Sequence, residues 1–513
     1  MGSGGWWFAT LGLTLLRLWL ALWVPLGDDE GYYWVWSRHL AASYYDHPPM
    51  VAWLVALSTH VLGSSLVALR LPFVACGTLS AVALRALVER ITGDGRLARE
   101  SSMLFQVVPV FVALGFMVIP DAPLILFWLL AGLAAHRLER RPGLASAVLL
   151  GVALGAAALS KYIAGLLWVS LAGYLVLQFR AKSVAPLAAA FAVAVLIASP
   201  VLWWNAGHDW ASFRYQFVSR HQQAHFDLGR LALYLGSQAL YLTPPLLALL
   251  AVATLGVGAR RVERGDRLLW WLGAPTALVF LAVAGFTRFK PNWAAPGYAT
   301  LVVVAVRGAS RWRDRSPRLA QALGVATVAS AIACAAFPLV QLARPLFPLP
   351  PRADPTVDMA GWPAIAARAE RAATKIRSET GAMPFYAAGR YQLASRLEFY
   401  LPGHPDVFSL NPGRDAYDDW QDLASLRGRD CIFVTSDRFP TAPQQLARWD
   451  STRVEARLVV ATRGREQFRV TVYVVRGYRP GPPDDGGRAS RAGPTQGREL
   501  APGSGDLRER VRA

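Results

Sequence analysis

Charged side chains are scarce in this chain: 17% of its 513 residues are Asp, Glu, Lys or Arg, while 54% are hydrophobic. Soluble globular domains carry about 25% charged residues. The scarcity therefore excludes an ordinary soluble protein for most of the molecule. Apolar runs of bilayer-spanning length recur from Trp6 to about Val340, and each should be helical because lipid cannot satisfy free backbone groups.

The apolar runs predict a mostly α fold, a polytopic bundle of transmembrane helices. We count about eleven spans on the criterion of ~20 residues per span. They lie near 6–25, 66–90, 97–118, 121–138, 144–160, 162–179, 184–204, 230–256, 267–286, 292–308 and 317–341.

Basic residues are not spread evenly, although the net charge is +19. They concentrate in the loops after the second, fourth, sixth, eighth and tenth spans. The positive-inside rule makes these loops cytoplasmic, which explains the charge without nucleic acid. The loops near 26–65, 119–121, 205–229 and 287–291, and everything after Val340, should then face outward.

Cysteine is almost absent, and the three cysteines, Cys76, Cys334 and Cys431, fall in predicted spans or a predicted buried strand. They exclude a disulfide framework as the basis of the outer part.

A change in composition separates the transmembrane domain, 1–343, from the C-terminal third of the chain. After a Pro-rich connector, residues 352–478 have ordinary soluble composition, with helical periodicity over 362–376 and 391–400 and strand patterns over 430–435, 454–460 and 467–475. We predict a small extracytoplasmic C-terminal α/β domain there. The segment 479–513 is rich in Gly, Pro, Arg and Asp, and its composition predicts disorder.

Acidic residues gather at the outer face. Asp28, Asp29 and Glu30 follow the first span directly, and Asp121 begins the fourth. The alternative for Asp29 and Asp121 is a helix N-cap. Three acids in a row exceed what a cap needs, and ionisable groups at this depth are costly unless they line a wet cavity. We predict catalytic roles for Asp29, Glu30 and Asp121. Tyr and Trp residues at 32–36 are expected to lie at headgroup level.

Basic residues face these acids. Lys161 lies between two spans on the side where the positive-inside rule disfavours it, so it needs an anion. The alternative is snorkelling to lipid headgroups. Arg220 and Lys290 lie in later outer loops, with Arg214, His221, His225 and Arg288 nearby in sequence. Together they predict an acidic and basic cavity for a phosphodiester.

These segments resemble integral-membrane glycosyltransferases with the GT-C fold, specifically the bacterial branch that joins protein mannosyltransferases and the lipid A aminoarabinose transferase. The resemblance is carried, in order, by DDEGYYW with YYDHPP, IPDAPL, LSKY, SPVLWWNAGHDW followed by FRYQFVSRH, and KPNWAAPGY. It implies a bacterial inner-membrane enzyme that transfers a sugar, with inversion, from a polyprenyl phosphate to an envelope acceptor. That acceptor would be lipid A or lipopolysaccharide, a polysaccharide or a protein, on the extracytoplasmic face.

The resemblance also implies roles for individual residues. Asp29, with Glu30 beside it, looks like the essential acid of the first loop. His47 stands where the aminoarabinose transferase has a phosphate-binding lysine, so we expect it to bind donor phosphate together with Lys161, Arg220 and Lys290, and we expect Asp46 to favour its protonated form. Asp46 and His221 resemble a pair that holds a metal in that relative. Two ligands leave dependence on a divalent metal ion open.

Two other classes remain open. A flippase or transporter for a lipid-linked sugar also carries charged residues among its helices, but we find no inverted repeat, and the acids cluster at one face. A structural or scaffolding role is the third option. The predicted partners are a polyprenyl-phosphate-linked sugar, a lipid or glycan acceptor and membrane lipids.

Overall fold

A computed structural model of the chain describes residues 2–179, 184–222, 224–258, 264–287, 289–313, 315–344, 346–347, 356, 359–462, 465–481 and 508–512. It divides into two compact units. The first comprises Met1–Val24 and Leu40–Phe337, and the second comprises Pro25–His39 and Pro338–Ala513.

The first unit is helical. Its helices are α1 (Ser3–Trp23), α3 (Met50–Leu62), α4 (Leu66–Thr92), α5 (Gly95–Val107), α6 (Pro109–Leu114), α7 (Asp121–Arg140), α8 (Leu144–Ser160), α9 (Ala164–Phe179), α10 (Val184–Gly207), α11 (Ala211–Phe217), α12 (Leu228–Leu242), α13 (Pro244–Gly258), α14 (Arg264–Val283), α15 (Ala295–Arg313) and α16 (Pro317–Ala343). Helix α2 (Asp28–Arg38) belongs to the second unit.

Six helices among the described residues are long and apolar enough to cross a membrane: α1, α4, α7, α10, α14 and α16. The bent pair of α12 and α13 would raise the number to seven. Predicted spans 144–160 and 162–179 correspond to the shorter apolar helices α8 and α9. The expected polytopic helical fold is confirmed.

Two predicted spans are not continuous helices. The span predicted over 230–256 bends by 104° between α12 and α13. Thr243, at the bend, has φ +76° and precedes Pro244 and Pro245, which disfavour helical backbone in the residue before them. The span predicted over 97–118 breaks between α5 and α6, where Pro109 opens the second helix.

Close packing of α8 against α10 depends on two glycines. A Cβ added at Gly151 would lie 2.5 Å from the carbonyl oxygen of Ala190, and one at Gly155 would lie 3.0 Å from that of Ala194. Any side chain there would push the helices apart, as expected of small residues at helix interfaces in membranes.

The second unit is an α/β domain, as predicted. Its sheet contains β1 (Phe385–Ala388), β2 (Val407–Ser409), β3 (Cys431–Ser436), β4 (Ser451–Thr462), β5 (Arg465–Arg476) and β6 (Arg508–Arg512), in the order β2-β1-β3-β5-β4-β6. β1 pairs in parallel with β2 and β3, β5 is antiparallel to β3 and β4, and β6 is parallel to β4. Helices α17 (Trp362–Thr380) and α18 (Tyr391–Tyr400) complete it.

β6 lies inside the segment 479–513, for which composition predicts disorder. The five residues of β6 differ from that prediction, because their backbone pairs with the edge of β4. Most of the remainder of that segment, 482–507 and residue 513, lies outside the described residues.

Aromatic residues of α2 form part of the core of this second unit. Tyr32, Tyr33, Trp34 and Trp36 are each at most 5% exposed. The Tyr32 ring stacks on Tyr391 of α18 with centroids 4.0 Å apart. The expected place of these rings at lipid headgroups is therefore wrong, because α2 buries them against the C-terminal domain.

Candidate functional site

A buried ion pair joins the start of α7 to the end of α8. Lys161, the first residue after α8, donates a hydrogen bond from Nζ to Asp121 Oδ2 at 2.7 Å, and the two side chains are 4% and 1% exposed. Asp121 is the anion that Lys161 requires. This burial is incompatible with snorkelling of Lys161 to headgroups, and the N-cap of α7 is Pro120, so Asp121 is not a cap.

Arg220 lies near this pair and contacts the same aromatic ring as Lys161. Lys161 Nζ lies 5.4 Å from the ring centroid of Trp293, and Arg220 Cζ lies 4.8 Å from the same centroid. Arg220 also lies 5.3 Å from the ring of Tyr215. Desolvation lowers the pKa of Lys161, Asp121 opposes that shift, and Lys290 and Arg220 add to it.

His47 lies close to the same positive charges. Burial lowers the pKa of His47 well below its usual value, and Lys161, Lys290 and Arg220 lower it further. A protonated imidazole would be a fourth cation there, so His47 is neutral at pH 7. The expectation that His47 favours its protonated form is wrong, because burial, together with the three cations, lowers its pKa. His47 can still offer a hydrogen bond, as neutral imidazole does.

We call Lys161, Arg220, Lys290, Trp293 and His47, together with Asp121, the cation cluster. It holds three basic side chains and the Asp121 carboxylate, and the Asp46 carboxylate lies near enough to act on Tyr215 together with Arg220 and Lys290. Three cations against two carboxylates leave one positive charge in excess. Cation–π contacts favour the positions of Lys161 and Arg220. Arg220 Nη1 donates to Gln216 Oε1 at 3.0 Å, and a guanidinium group has further N–H donors that can bind an oxyanion.

His221, predicted as a metal ligand, is occupied by the protein. Its Nε2 lies 3.1 Å from the carbonyl oxygen of Gln216, so Nε2 carries the proton, and Nδ1 accepts from the Thr287 hydroxyl at 3.0 Å. The Gln216 amide in turn donates to the carbonyl oxygen of Asp46. Neither His221 nitrogen is left for a metal.

The described part of the chain contains no group of three or more His, Cys, Asp or Glu side chains arranged to hold a metal ion. With both His221 nitrogens bonded, Asp46 and His221 do not fit a metal site, and we assign no step to a metal.

The acidic turn lies in the second unit, at the N-terminus of α2. Gly27 is the N-cap, and its backbone N–H donates to Glu30 Oε2 at 2.9 Å. Asp28 Oδ2 lies 3.6 Å from Arg438. Asp29 is the second residue of the helix and is not its cap, although its charge is favourable near a helix N-terminus. Asp28 and Glu30 therefore have identified structural contacts on either side of Asp29 in the first turn of α2.

Three other basic residues of the outer loops were predicted for the same cavity. Arg214 is exposed on α11, and His225 contacts Arg230 at 3.3 Å. Arg288 lies outside the described residues. Trp293 was missed from sequence because tryptophan is abundant and is common in membrane belts. Its position two residues after Lys290-Pro291 was the available signal.

Comparison with known proteins finds similarity to membrane glycosyltransferases. The family described as dolichyl-phosphate-mannose-protein mannosyltransferase matches residues 46–204. The lipid A galacturonosyltransferase RgtD of Rhizobium johnstonii is 27% identical over 283 residues, which are 54% of this chain. The match spans 59% of the length of that curated relative.

Solved structures show the same fold. ArnT from Cupriavidus metallidurans in its apo state superposes with a TM-score of 0.62 at 16% identity, covering 93% of this chain and 98% of ArnT. The structure of the same protein bound to undecaprenyl phosphate gives a TM-score of 0.60 at 18% identity, and the match covers 96% of this chain and 100% of that chain. The archaeal oligosaccharyltransferase AglB from Archaeoglobus fulgidus gives a TM-score of 0.52 at 12% identity, and the match covers 83% of this chain and 69% of AglB.

The fold defines the class: this is a multi-pass membrane protein with the GT-C fold. The resemblance to GT-C glycosyltransferases predicted from the sequence motifs is confirmed by these matches.

Proposed function

We propose that the protein transfers a sugar from a polyprenyl-phosphate donor to a cell-envelope acceptor on the extracytoplasmic face of the bacterial inner membrane. The cation cluster is the observation that carries this proposal. Three basic side chains lie close to one another with the carboxylates of Asp121 and Asp46 nearby, which leaves one positive charge in excess, and a phosphate offers the anionic oxygens that such cations bind.

The donor phosphate would be held by Arg220 and Lys290, with Lys161 behind them and His47 donating a neutral hydrogen bond. Breaking the sugar–phosphate bond places negative charge on the leaving phosphate, so fixed cations lower the barrier most if they act on that developing charge. Asp121 would act as a positioning residue, because its bond to Lys161 fixes the ammonium group.

Asp29 is our candidate for the catalytic carboxylate. Positive charge develops on the sugar ring as the bond to phosphate breaks, and a carboxylate stabilises it. If the acceptor is a hydroxyl, Asp29 would also take its proton as general base. Attack from the face opposite the phosphate would invert the anomeric carbon. Glu30 would support the helix that bears Asp29 through its bond to Gly27.

The acceptor class is suggested by the relatives. One is named a lipid A galacturonosyltransferase, so we propose lipid A or another envelope glycolipid as the acceptor, with polysaccharide and protein as alternatives. The likeness to ArnT bound to undecaprenyl phosphate supports a long polyprenyl donor.

The test is sugar transfer in proteoliposomes that contain a polyprenyl-phospho-sugar and lipid A. A new sugar–acceptor bond, found by mass spectrometry and dependent on the protein, supports a transferase. Movement of the donor between leaflets without a new bond would instead identify a flippase and would overturn the proposal.

A further inference from the structure

A largely apolar cavity lies among the helices of the first unit. Its volume is about 470 Å³, and α5, α13, α15 and α16 line it. Leu246, Leu323 and Val328 are among its apolar walls. The volume is in the range of pockets that hold a ligand, roughly 300–1,000 Å³.

Helix α16 leaves this cavity open. Of the most apolar 18-residue stretch of α16, only 11% is buried within the protein, whereas the corresponding share for α7 is 67%. There is also room for a side chain at Gly324, since a Cβ added there would meet no atom within 4 Å. In a bilayer, an apolar cavity beside a loosely packed helix is filled by a hydrocarbon chain, because water there would lack polar partners.

Arginines stand at one end of the cavity. Arg96, Arg99 and Arg313 line it together with a single carboxylate, Glu100. Glu100 lies 2.8 Å from Arg96 and 3.4 Å from Arg313, so it is shared between α5 and α15. One carboxylate cannot neutralise two guanidinium groups, and the arginine end of the cavity is therefore complementary to an additional anion.

This end belongs to the loops that the distribution of basic residues predicts to be cytoplasmic. A basic pocket between membrane helices on that side suits an anionic lipid headgroup. We propose that the cavity binds one anionic glycerophospholipid of the cytoplasmic leaflet, with its phosphate on Arg96 and Arg313 and an acyl chain between α16 and the bundle. The proposal is independent of the proposed transfer reaction.

The test uses the full chain in nanodiscs of phosphatidylcholine that contain a small fraction of phosphatidylglycerol. After extraction, native mass spectrometry counts each lipid that the protein retains. Wild type should retain phosphatidylglycerol in preference to phosphatidylcholine. Arg313→Gln should lower that retention roughly five-fold, the usual effect of one basic residue near a membrane surface. Glu100→Gln should raise it, because it frees both arginines.

Matched variants separate the site from general effects. Arg90→Gln removes an exposed arginine at the end of α4, outside the cavity, and should have no effect. Gly324→Phe should fill the cavity and reduce retention. Gly12→Phe, on an exposed face of α1 where a Cβ also meets no atom within 4 Å, should not.

Three results would overturn the proposal. One is equal retention of both lipids by wild type. Another is an Arg313→Gln protein that behaves like Arg90→Gln. The third is displacement of phosphatidylglycerol by polyprenyl phosphate in a manner that depends on Arg313, which would assign the cavity to the donor lipid.

Discussion

Asp121→Asn should strand the ammonium group of Lys161 in the interior of the helical unit. The two side chains are 1% and 4% exposed and lie 2.7 Å apart, and an asparagine keeps the volume of Asp121 but not its charge. Breaking a buried ion pair by removing one partner costs roughly 3–5 kcal/mol, because the remaining charge is uncompensated. Lys161→Met should cost a similar amount for the same reason.

The double variant Asp121→Asn/Lys161→Met should cost much less than the two single variants together, since it leaves no buried charge. We expect a coupling energy of roughly 2–3 kcal/mol, at the upper end of values for residues in contact. Denaturant unfolding in detergent micelles would measure it. A helix cap at Asp121 would instead cost about 1 kcal/mol and would show additive effects, which would refute this reasoning.

The same variants distinguish structure from donor binding. The double variant should lose less stability than the two single variants together but still bind polyprenyl phosphate weakly, because Lys161 is missing from the cation cluster. Asp266 and Arg307 provide a matched control, since they form another largely buried ion pair between α14 and α15, with side chains 4% and 20% exposed. Asp266→Asn should cost stability and leave the affinity for polyprenyl phosphate unchanged. Full donor binding by the Asp121/Lys161 double variant would contradict the account.

Three other predictions concern the acidic turn, His47 and the membrane orientation. Asp29→Asn should abolish sugar transfer but leave donor binding nearly intact, because the charge acts mainly in the transition state. Glu30→Gln should reduce transfer less, since its amide oxygen can still accept a hydrogen bond from the Gly27 N–H. Turnover assays with both variants would check this. The lowered pKa of His47 means that the folded state binds fewer protons than the unfolded state below about pH 6.5, so stability should fall on acidification. From pH 7.5 to 5.5, wild type should lose about 1 kcal/mol more than His47→Asn, and identical pH profiles of unfolding would show that His47 is not held neutral. Burial raises the pKa of Glu398 to about 8 and gives the opposite trend, but it cancels in that comparison. A cysteine introduced at Arg214, an exposed residue of the loop near 205–229, should be labelled from outside the cell, and labelling from the cytoplasm alone would reverse the proposed orientation.

The membrane part of the fold was largely predictable because hydropathy is a local property of the sequence. Hydropathy did not predict the bend at Thr243 or the break before Pro109, because these depend on the backbone conformation of particular residues. Both interrupt segments that look continuous by hydropathy alone. The aromatic run at 32–36 was misplaced for another reason. Burial against α18 and burial among headgroups favour the same residue types.

The candidate site was predictable in its residue types but not in its pairings. Hydrophobic context identified Lys161 as a cation that needs an anion, yet Asp121 is 40 residues away in sequence, and only the packing of α7 and α8 joins them. The protonation of His47 was mispredicted because its pKa depends on burial and on cations from three distant segments, which its neighbour in sequence, Asp46, does not reveal.

Affinity for polyprenyl phosphate is the most direct measurement of the central claim, that the cation cluster binds the phosphate of the donor. The account predicts that Arg220→Gln/Lys290→Gln weakens binding on the order of ten-fold or more, because hydrogen bonds to charged groups contribute roughly 1.5–3 kcal/mol each. Arg214→Gln, which removes an exposed arginine from α11, should bind like wild type. Unchanged affinity in the double variant, or an equal loss in Arg214→Gln, would contradict the claim.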